Sequence, residues 1–203
     1  MGATEKRRPG RPPKAEAGDT KAALIDAALR LFAQHGFAGT SVRAIAREVG
    51  LSESVLYAHF DGKRGIYEAA MALAGPQVAL GALEEPGADP AAFVRAFAAR
   101  VLEAWDTPRS RQVMSLVARD GLMHDPMLAG GIESALGQLA RAFAGWRIPD
   151  GLGTPEDLAY ALLAPIAHAR VLWLHEEASQ EQRELARTRI TRHADLMASA
   201  LTR

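Results

Sequence analysis

The stretch Thr40-Ser41-Val42-Arg43-Ala44-Ile45-Ala46-Arg47-Glu48-Val49-Gly50-Leu51-Ser52-Glu53-Ser54-Val55-Leu56-Tyr57-Ala58-His59-Phe60 decides the fold. Val42, Ile45, Ala46 and Val49 recur at the spacing of one helical face, and Thr40 or Ser41 supplies a hydroxyl for the first turn. Gly50 ends this helix, and Ser52 stands where a second one, carrying Val55, Leu56 and Phe60, would be capped. Ala46 is small where the two must cross, while Ile45, Val49, Leu51 and Leu56 make a miniature core. Ser52, Glu53, Ser54, Tyr57 and His59 are left outside. A short helix pair with a polar outer side can seat its second helix in the major groove, although helical hairpins also occur as plain packing.

Outward from this pair the helical period continues. Leu24, Ala28, Leu31 and Phe32 predict a first helix from Asp19 that stops at Gly36. A fourth starts near Asp61, carries Ile66, Tyr67, Ala70 and Leu73, and should kink or end at Gly75-Pro76. Beyond it, helix starts are marked by a capping residue followed by proline: Asp89-Pro90, Thr107-Pro108, Asp125-Pro126 and Thr154-Pro155. Ser179 with Gln182 forms a capping box for the last. Helices are expected near 90–105, 108–122, 126–145, 155–176 and 180–201, with Pro165 bending its helix and freeing a carbonyl. No strand pattern of useful length appears, so the fold class is all-α with about nine helices.

Composition narrows the function. The 203 residues are 48% apolar and 24% charged, sufficient for a sizeable core. Lysine plus arginine equals aspartate plus glutamate at 24 each, yet residues 1–70 carry 11 basic and 8 acidic side chains, leaving 13 and 16 for the remainder. The N-terminal third is the part that favours anions. There is no cysteine, which excludes disulfides, thiolate catalysis and a zinc finger. No segment has eighteen uninterrupted apolar residues, and the basic start runs into Pro9-Gly10-Arg11-Pro12-Pro13 rather than an apolar stretch. No phosphate-cradling glycine loop, His-Glu-x-x-His or Gly-x-Ser-x-Gly is present, so no catalytic residues, cofactor or enzyme activity are expected.

Gly36-Phe37, Thr40-Ser41-Val42, Ile45-Ala46, Val49-Gly50-Leu51-Ser52, Leu56-Tyr57-Ala58-His59-Phe60 and Lys63 together resemble the TetR-family signature, in register over about residues 22–70. The resemblance implies an N-terminal three-helix helix-turn-helix DNA-binding domain and a C-terminal helical ligand-binding and dimerisation domain. The boundaries it suggests are a disordered basic arm over 1–18, the DNA-binding domain over 19–68 and the ligand-binding and dimerisation domain over 69–203. It implies phosphate contacts from Thr40, Tyr57, His59 and Lys63, and an approach to base edges by Arg43, Ser54 and Val55. Chemistry supports the assignment: hydroxyls at helix starts, Ser41 and Ser52 among them, suit phosphate oxygens, and Arg43 is the best candidate for a bidentate guanine contact. Glu53 departs from this logic, helping the helix dipole but repelling phosphate, and Lys63-Arg64-Gly65-Ile66 departs from the family's usual wording.

The implied protein is a repressor released from a palindromic operator by a small molecule, with double-stranded DNA, an unknown effector and a second copy as partners. It would work in a bacterial cytoplasm at the nucleoid, without a membrane. An architectural DNA-binding protein relying on its arm is the rival reading. Gly10-Arg11-Pro12, flanked by Lys6-Arg7-Arg8 and Lys14, resembles an AT-hook that would put Arg11 in the minor groove, and reads equally well as a solubilising tail. His168 and His175 share a helical face, but two ligands do not make a metal site, and none is expected.

For the effector, the apolar stripe Phe93, Phe97, Val101 and Trp105, with Met114, Leu122, Met123, Phe143, Trp146, Tyr160, Leu163 and Trp173 elsewhere, reads as core of which some members line a cavity, with Arg119, Tyr160, His168 or Arg170 as polar contacts. Leu158, Leu162, Leu172, Ile190, Met197 and Leu201 could face a partner in a four-helix interface, or cover the monomer's own core.

Overall fold

A computed structural model describes residues 14–74 and 87–202. Among them the chain forms nine α-helices and no strand: α1 Lys14–Gly39, α2 Val42–Glu48, α3 Glu53–His59, α4 Gly62–Ala74, α5 Pro90–Trp105, α6 Pro108–Arg119, α7 Pro126–Ala144, α8 Pro155–Trp173 and α9 Gln180–Leu201. A 3₁₀ turn, Leu122–His124, lies between α6 and α7. The fold is all-α, as the periodicity predicts.

The proline-marked starts form as expected. Asp89, Thr107, Asp125 and Thr154 each sit in extended backbone and accept from an amide of the first turn, at 2.8, 3.2, 2.9 and 3.2 Å. Proline follows each cap, where its missing N–H costs nothing. Thr154 with Asp157 and Ser179 with Gln182 are full capping boxes.

Several boundaries move. α1 begins at Lys14 rather than Asp19, so residues 14–18, placed by the sequence in the arm, are helical. Ala15, Glu16 and Ala17 are good helix formers, and the helix runs on through Gly18 into Asp19. The rest of the arm, including Arg11, and the Gly75-Pro76 break lie outside the described residues. Gly36, at φ +75°, breaks α1 as expected, but one more helical turn follows and inserts Phe37 between Phe32 and Tyr67, ring centroids 5.2 and 5.5 Å away. α8 stops at Trp173, three residues short of the expected 176. The cause is tertiary: the Glu176 amide donates to Ser115 Oγ at 2.9 Å, and that hydroxyl donates to Glu177 at 2.7 Å, which draws the chain off the helix.

α8 runs through Pro165 as one helix. Proline at this position leaves the Ala161 carbonyl without its i+4 donor, and His193 of α9 meets it with Nε2 at 2.9 Å.

Two apolar cores result. One gathers Phe97, Val101, Leu139, Phe143, Leu162, Ile166 and Ile190 from α5, α7, α8 and α9. The other gathers Leu24, Phe32, Ile45, Leu56, Ile66 and Tyr67 from α1–α4 together with Val113, Met114, Leu116 and Val117 of α6. The division therefore does not follow the chain: α6 lies beyond α5 in sequence but packs against α1 and α4. Four fully buried side chains at about 1.5–3 kcal/mol each make this attachment comparable to the stability of a small domain.

The interface residues expected on α8 and α9 also divide. Leu158, Leu162, Ile190, Met197 and Leu201 are buried in this monomer's own core, and of the six only Leu172 is exposed. Beside Leu172, the outward large apolar side chains of these helices are Tyr160, Val171, Leu185 and Leu196. A 3.6-residue stripe marks the buried face without saying what buries it, and here α5 and α7 do.

Candidate functional site: a helix-turn-helix surface and an apolar cleft

Ser41 begins the pair. Its backbone is extended, and its Oγ accepts the Ala44 amide at 3.1 Å, which starts α2 one residue later. The turn closes with Leu51 donating to Ala46 at 2.9 Å and Gly50 donating to Arg47 at 3.1 Å. Gly50 is at φ +70°, and a Cβ there would meet nothing within 4 Å, so backbone conformation rather than space requires glycine. Ile45, Ala46 and Leu56 are buried between the two helices and α1.

The outer surface carries Ser41, Arg43, Ser52, Ser54 and Tyr57 exposed, with Val55 and His59 half-buried. Tyr57 stands out at 57% exposure. Ser52 occupies the cap position of α3 but does not accept from its first turn; its hydroxyl and that of Ser54 lie 2.8 Å apart. Glu53 is exposed in the first turn of α3.

Two of the residues that the family resemblance brings toward phosphate are engaged internally. Thr40 is 4% exposed, and its Oγ1 donates to the Gly36 carbonyl at 2.9 Å, with the Leu31 carbonyl 3.1 Å away. Lys63 donates to the carbonyls of Phe37 and Ala38, its ammonium 4.5 Å from the Phe37 ring centre. It thus closes the end of α1 from the start of α4.

α6 is tied to α1 by more than apolar contact. Arg109 forms a bidentate pair with Asp26 at 2.6 Å on both arms, and this hydrogen-bonded carboxylate raises the guanidinium's pKa. Asp120 accepts the Phe37 amide at 2.7 Å, and Arg119 donates to the carbonyls of Phe32 and Ala33. None of these partners is readable from spacing, because each pair is separated by 83 or more residues.

Between the two cores lies an apolar cleft of about 70 Å³. Met71 comes from α4, Trp105 from α5, Val113, Met114 and Val117 from α6, Met123 from the 3₁₀ turn, Leu128 and Ile132 from α7, and Leu163, Ala167, Arg170 and Val171 from α8. The structure thus brings together Trp105, Met114, Met123 and Leu163 of the expected lining, with Arg170 as the polar contact. The others lie elsewhere: Phe97 and Phe143 are closed in the C-terminal core, Arg119 at the end of α6 reaches the carbonyls of α1, and Tyr160 is 65% exposed. His168 and Trp173, rings 6.4 Å apart, share a separate groove of about 300 Å³ with Arg189 and His193. A roomier groove of about 490 Å³ between α5 and α9 is charged and crossed by the Arg95–Asp195 and Arg187–Asp106 pairs. It is the smaller cleft whose wall is apolar.

Arg170 is the electrostatic feature of that cleft. Its guanidinium lies 4.4 Å from the Trp105 ring centre with the Ser110 hydroxyl 3.4 Å away, and burial pushes its pKa down to about 9. It remains a cation at neutral pH. Tyr67, buried under Arg64, has its phenol pushed up to about 12, by burial first and by Asp125 second. Among the described residues no three His, Cys, Asp or Glu side chains form a cluster that could hold a metal, and no helix is long and apolar enough to cross a membrane.

Residues 24–70 match the family model described as bacterial regulatory proteins, tetR family. The HTH-type transcriptional regulator AcrR of Shigella flexneri is 32% identical over 105 residues, 50% of this chain and 48% of AcrR. The uncharacterized HTH-type transcriptional regulator TtgW of Pseudomonas putida is 30% identical over 108 residues, 53% of this chain and 79% of TtgW. The chain belongs to the TetR family. Its match spans about half the length of AcrR. SmeT, the repressor of the Stenotrophomonas maltophilia multidrug efflux pump SmeDEF, shares the TetR-family fold at a TM-score of 0.66 and 20% identity over 91% of both chains. A SmeT–triclosan complex matches at 0.64 and 20% identity, covering 90% of this chain and 91% of that one.

Proposed function

We propose that this TetR-family chain is a ligand-responsive transcriptional regulator that binds a palindromic operator as a homodimer and leaves it when a small molecule occupies the apolar cleft. The observation that carries the reading is a shared wall. Met71, Val113, Met114 and Val117 line the cleft and also belong to the core that holds Leu56 of α3. A guest that displaces them disturbs the base on which the recognition helix stands.

In this reading Arg43, Ser54 and Val55 approach base edges, while Ser41, Ser52, Tyr57, His59 and Lys63 hold phosphates. Thr40 acts on the DNA surface indirectly, by fixing the turn after Gly36. Arg11, in the basic arm, adds a minor-groove or phosphate contact. Tyr160, Leu172, Leu185 and Leu196 supply the apolar part of the dimer face, and the dimer sets the two α3 helices about 34 Å apart, one turn of DNA.

Ligand and operator then oppose each other through α4 and α6, with a coupling on the order of 1–3 kcal/mol, or 5- to 150-fold in affinity. AcrR, TtgW and SmeT support the regulator class by their names, and the SmeT–triclosan complex supports a small-molecule site in this fold. Selection of bound duplexes from a random pool, followed by screening compounds for release of the selected site, tests both halves. Recovery of a palindrome and of a releasing compound is expected; sequence-blind binding would favour an architectural protein.

A further inference from the structure

The cleft wall is apolar except for two groups, and both can only donate. Trp105 is 2% exposed, and its indole N–H has no hydrogen-bond acceptor among the described residues. Arg170, 8% exposed, stacks its guanidinium over the same ring, lies 3.4 Å from the Ser110 hydroxyl, and is the one charged side chain on the same wall. A buried donor left unmet is costly, and one met by an anionic oxygen forms the stronger, charge-assisted kind of bond. A guest carrying an ammonium would meet the Arg170 cation and offer the Trp105 N–H nothing to donate to.

Size restricts the guest as well. A volume of about 70 Å³ is well below the roughly 300–1,000 Å³ of drug-sized sites. Three methionines, Met71, Met114 and Met123, stand on the wall, and Met123 is 41% exposed at its edge. Unbranched thioethers rearrange easily, so a molecule the size of one ring can be admitted by repacking them. Two of the three belong to α4 and α6, the helices that carry the coupling described above.

We propose that the cleft selects a compact, ring-sized apolar molecule bearing an acceptor oxygen, best a carboxylate, held jointly by the Trp105 N–H and the Arg170 guanidinium. This rests on the reading of the cleft as the effector site. The test is calorimetric titration of the purified full chain with benzoate, toluene and benzylamine, which share a ring and differ in offering an acceptor, nothing or a donor cation. Benzoate binds at least tenfold tighter than toluene, and benzylamine gives no binding. Trp105→Phe, which keeps the ring and loses the donor, weakens benzoate at least fivefold and leaves toluene within twofold. Arg170→Met weakens benzoate in the same way. Equal binding of benzoate and benzylamine, unchanged benzoate affinity in Trp105→Phe, or no binding of any of the three at millimolar concentration overturns the proposal. Operator release is read separately. Benzoate that binds as expected without altering operator affinity sinks the effector reading alone, whereas release by a cationic compound with no benzoate binding sinks the ligand chemistry alone.

Discussion

Arg109 grips Asp26 with two hydrogen bonds of 2.6 Å, one from Nε and one from Nη2, and thereby fixes α6 to α1 across 83 residues of sequence. Both side chains are more than a third exposed, so solvent screens the pair and its contribution to stability is small, about 0.5–1 kcal/mol for a bidentate surface bridge. Its position matters more. Asp26→Ala is expected to lower the unfolding free energy by no more than about 1 kcal/mol while cutting ligand-induced operator release at least fivefold. Chemical denaturation and a release titration on one preparation separate the two effects.

Arg43→Ala and Lys63→Ala should fail differently. Loss of a bidentate base contact costs about 1–3 kcal/mol and relaxes preference at one base pair per half-site. Loss of a phosphate contact weakens binding to every sequence and reduces the salt slope by about one per site. Because Lys63 also closes the end of α1, Lys63→Ala should in addition lower the melting temperature. A lowered melting temperature with an unchanged salt slope would assign Lys63 to the helix end only.

His193 and Pro165 form a compensating pair around the Ala161 carbonyl. His193→Ala removes the donor and should cost about 0.5–1 kcal/mol, the lower part of the range for a net hydrogen bond because the site is exposed. Pro165→Ala restores a backbone N–H, so in that background the same change should cost almost nothing. A double-mutant cycle by denaturation checks this, and full additivity would contradict it.

The link that ends α8 carries a pH signature. The Ser115 hydroxyl, and then the local backbone and His175, hold the Glu177 carboxyl below its ordinary value of 4.5. A depressed pKa contributes stability that is present above the unfolded value and lost as pH falls through the folded one. Ser115→Ala should therefore be less stable than wild type by a constant margin from neutral pH to about 4.5, and the margin should shrink in more acid solution. Glu177 is 70% exposed, so the margin is small and needs denaturation curves at several pH values.

What the sequence discloses here is mostly local. Four caps with prolines behind them, Gly36, Gly50 and the polar outer side of α3 act within a few residues, and each forms where its spacing places it. What depends on distant partners is hidden. Val113, Met114, Leu116 and Val117 show a buried face but not that α1 and α4 bury it. Arg119 carries the same charge as Arg170, yet only the tertiary fold sends one to the carbonyls of α1 and the other to the cleft. Met71 and Ile132 look like ordinary core positions, and nothing in a 3.6-residue period distinguishes a cleft wall from a core.

In the proposed reading α2 and α3 fit a duplex groove and α6 couples that surface to the cleft. Selection of sites from random duplexes by the purified chain, at modest ionic strength, tests the first half most directly. A palindrome with half-sites one helical turn apart is expected, bound at least a thousandfold tighter than random DNA, and lost in Arg43→Ala with Tyr57→Ala. Recovery of no common site, or binding indifferent to both substitutions, would contradict it.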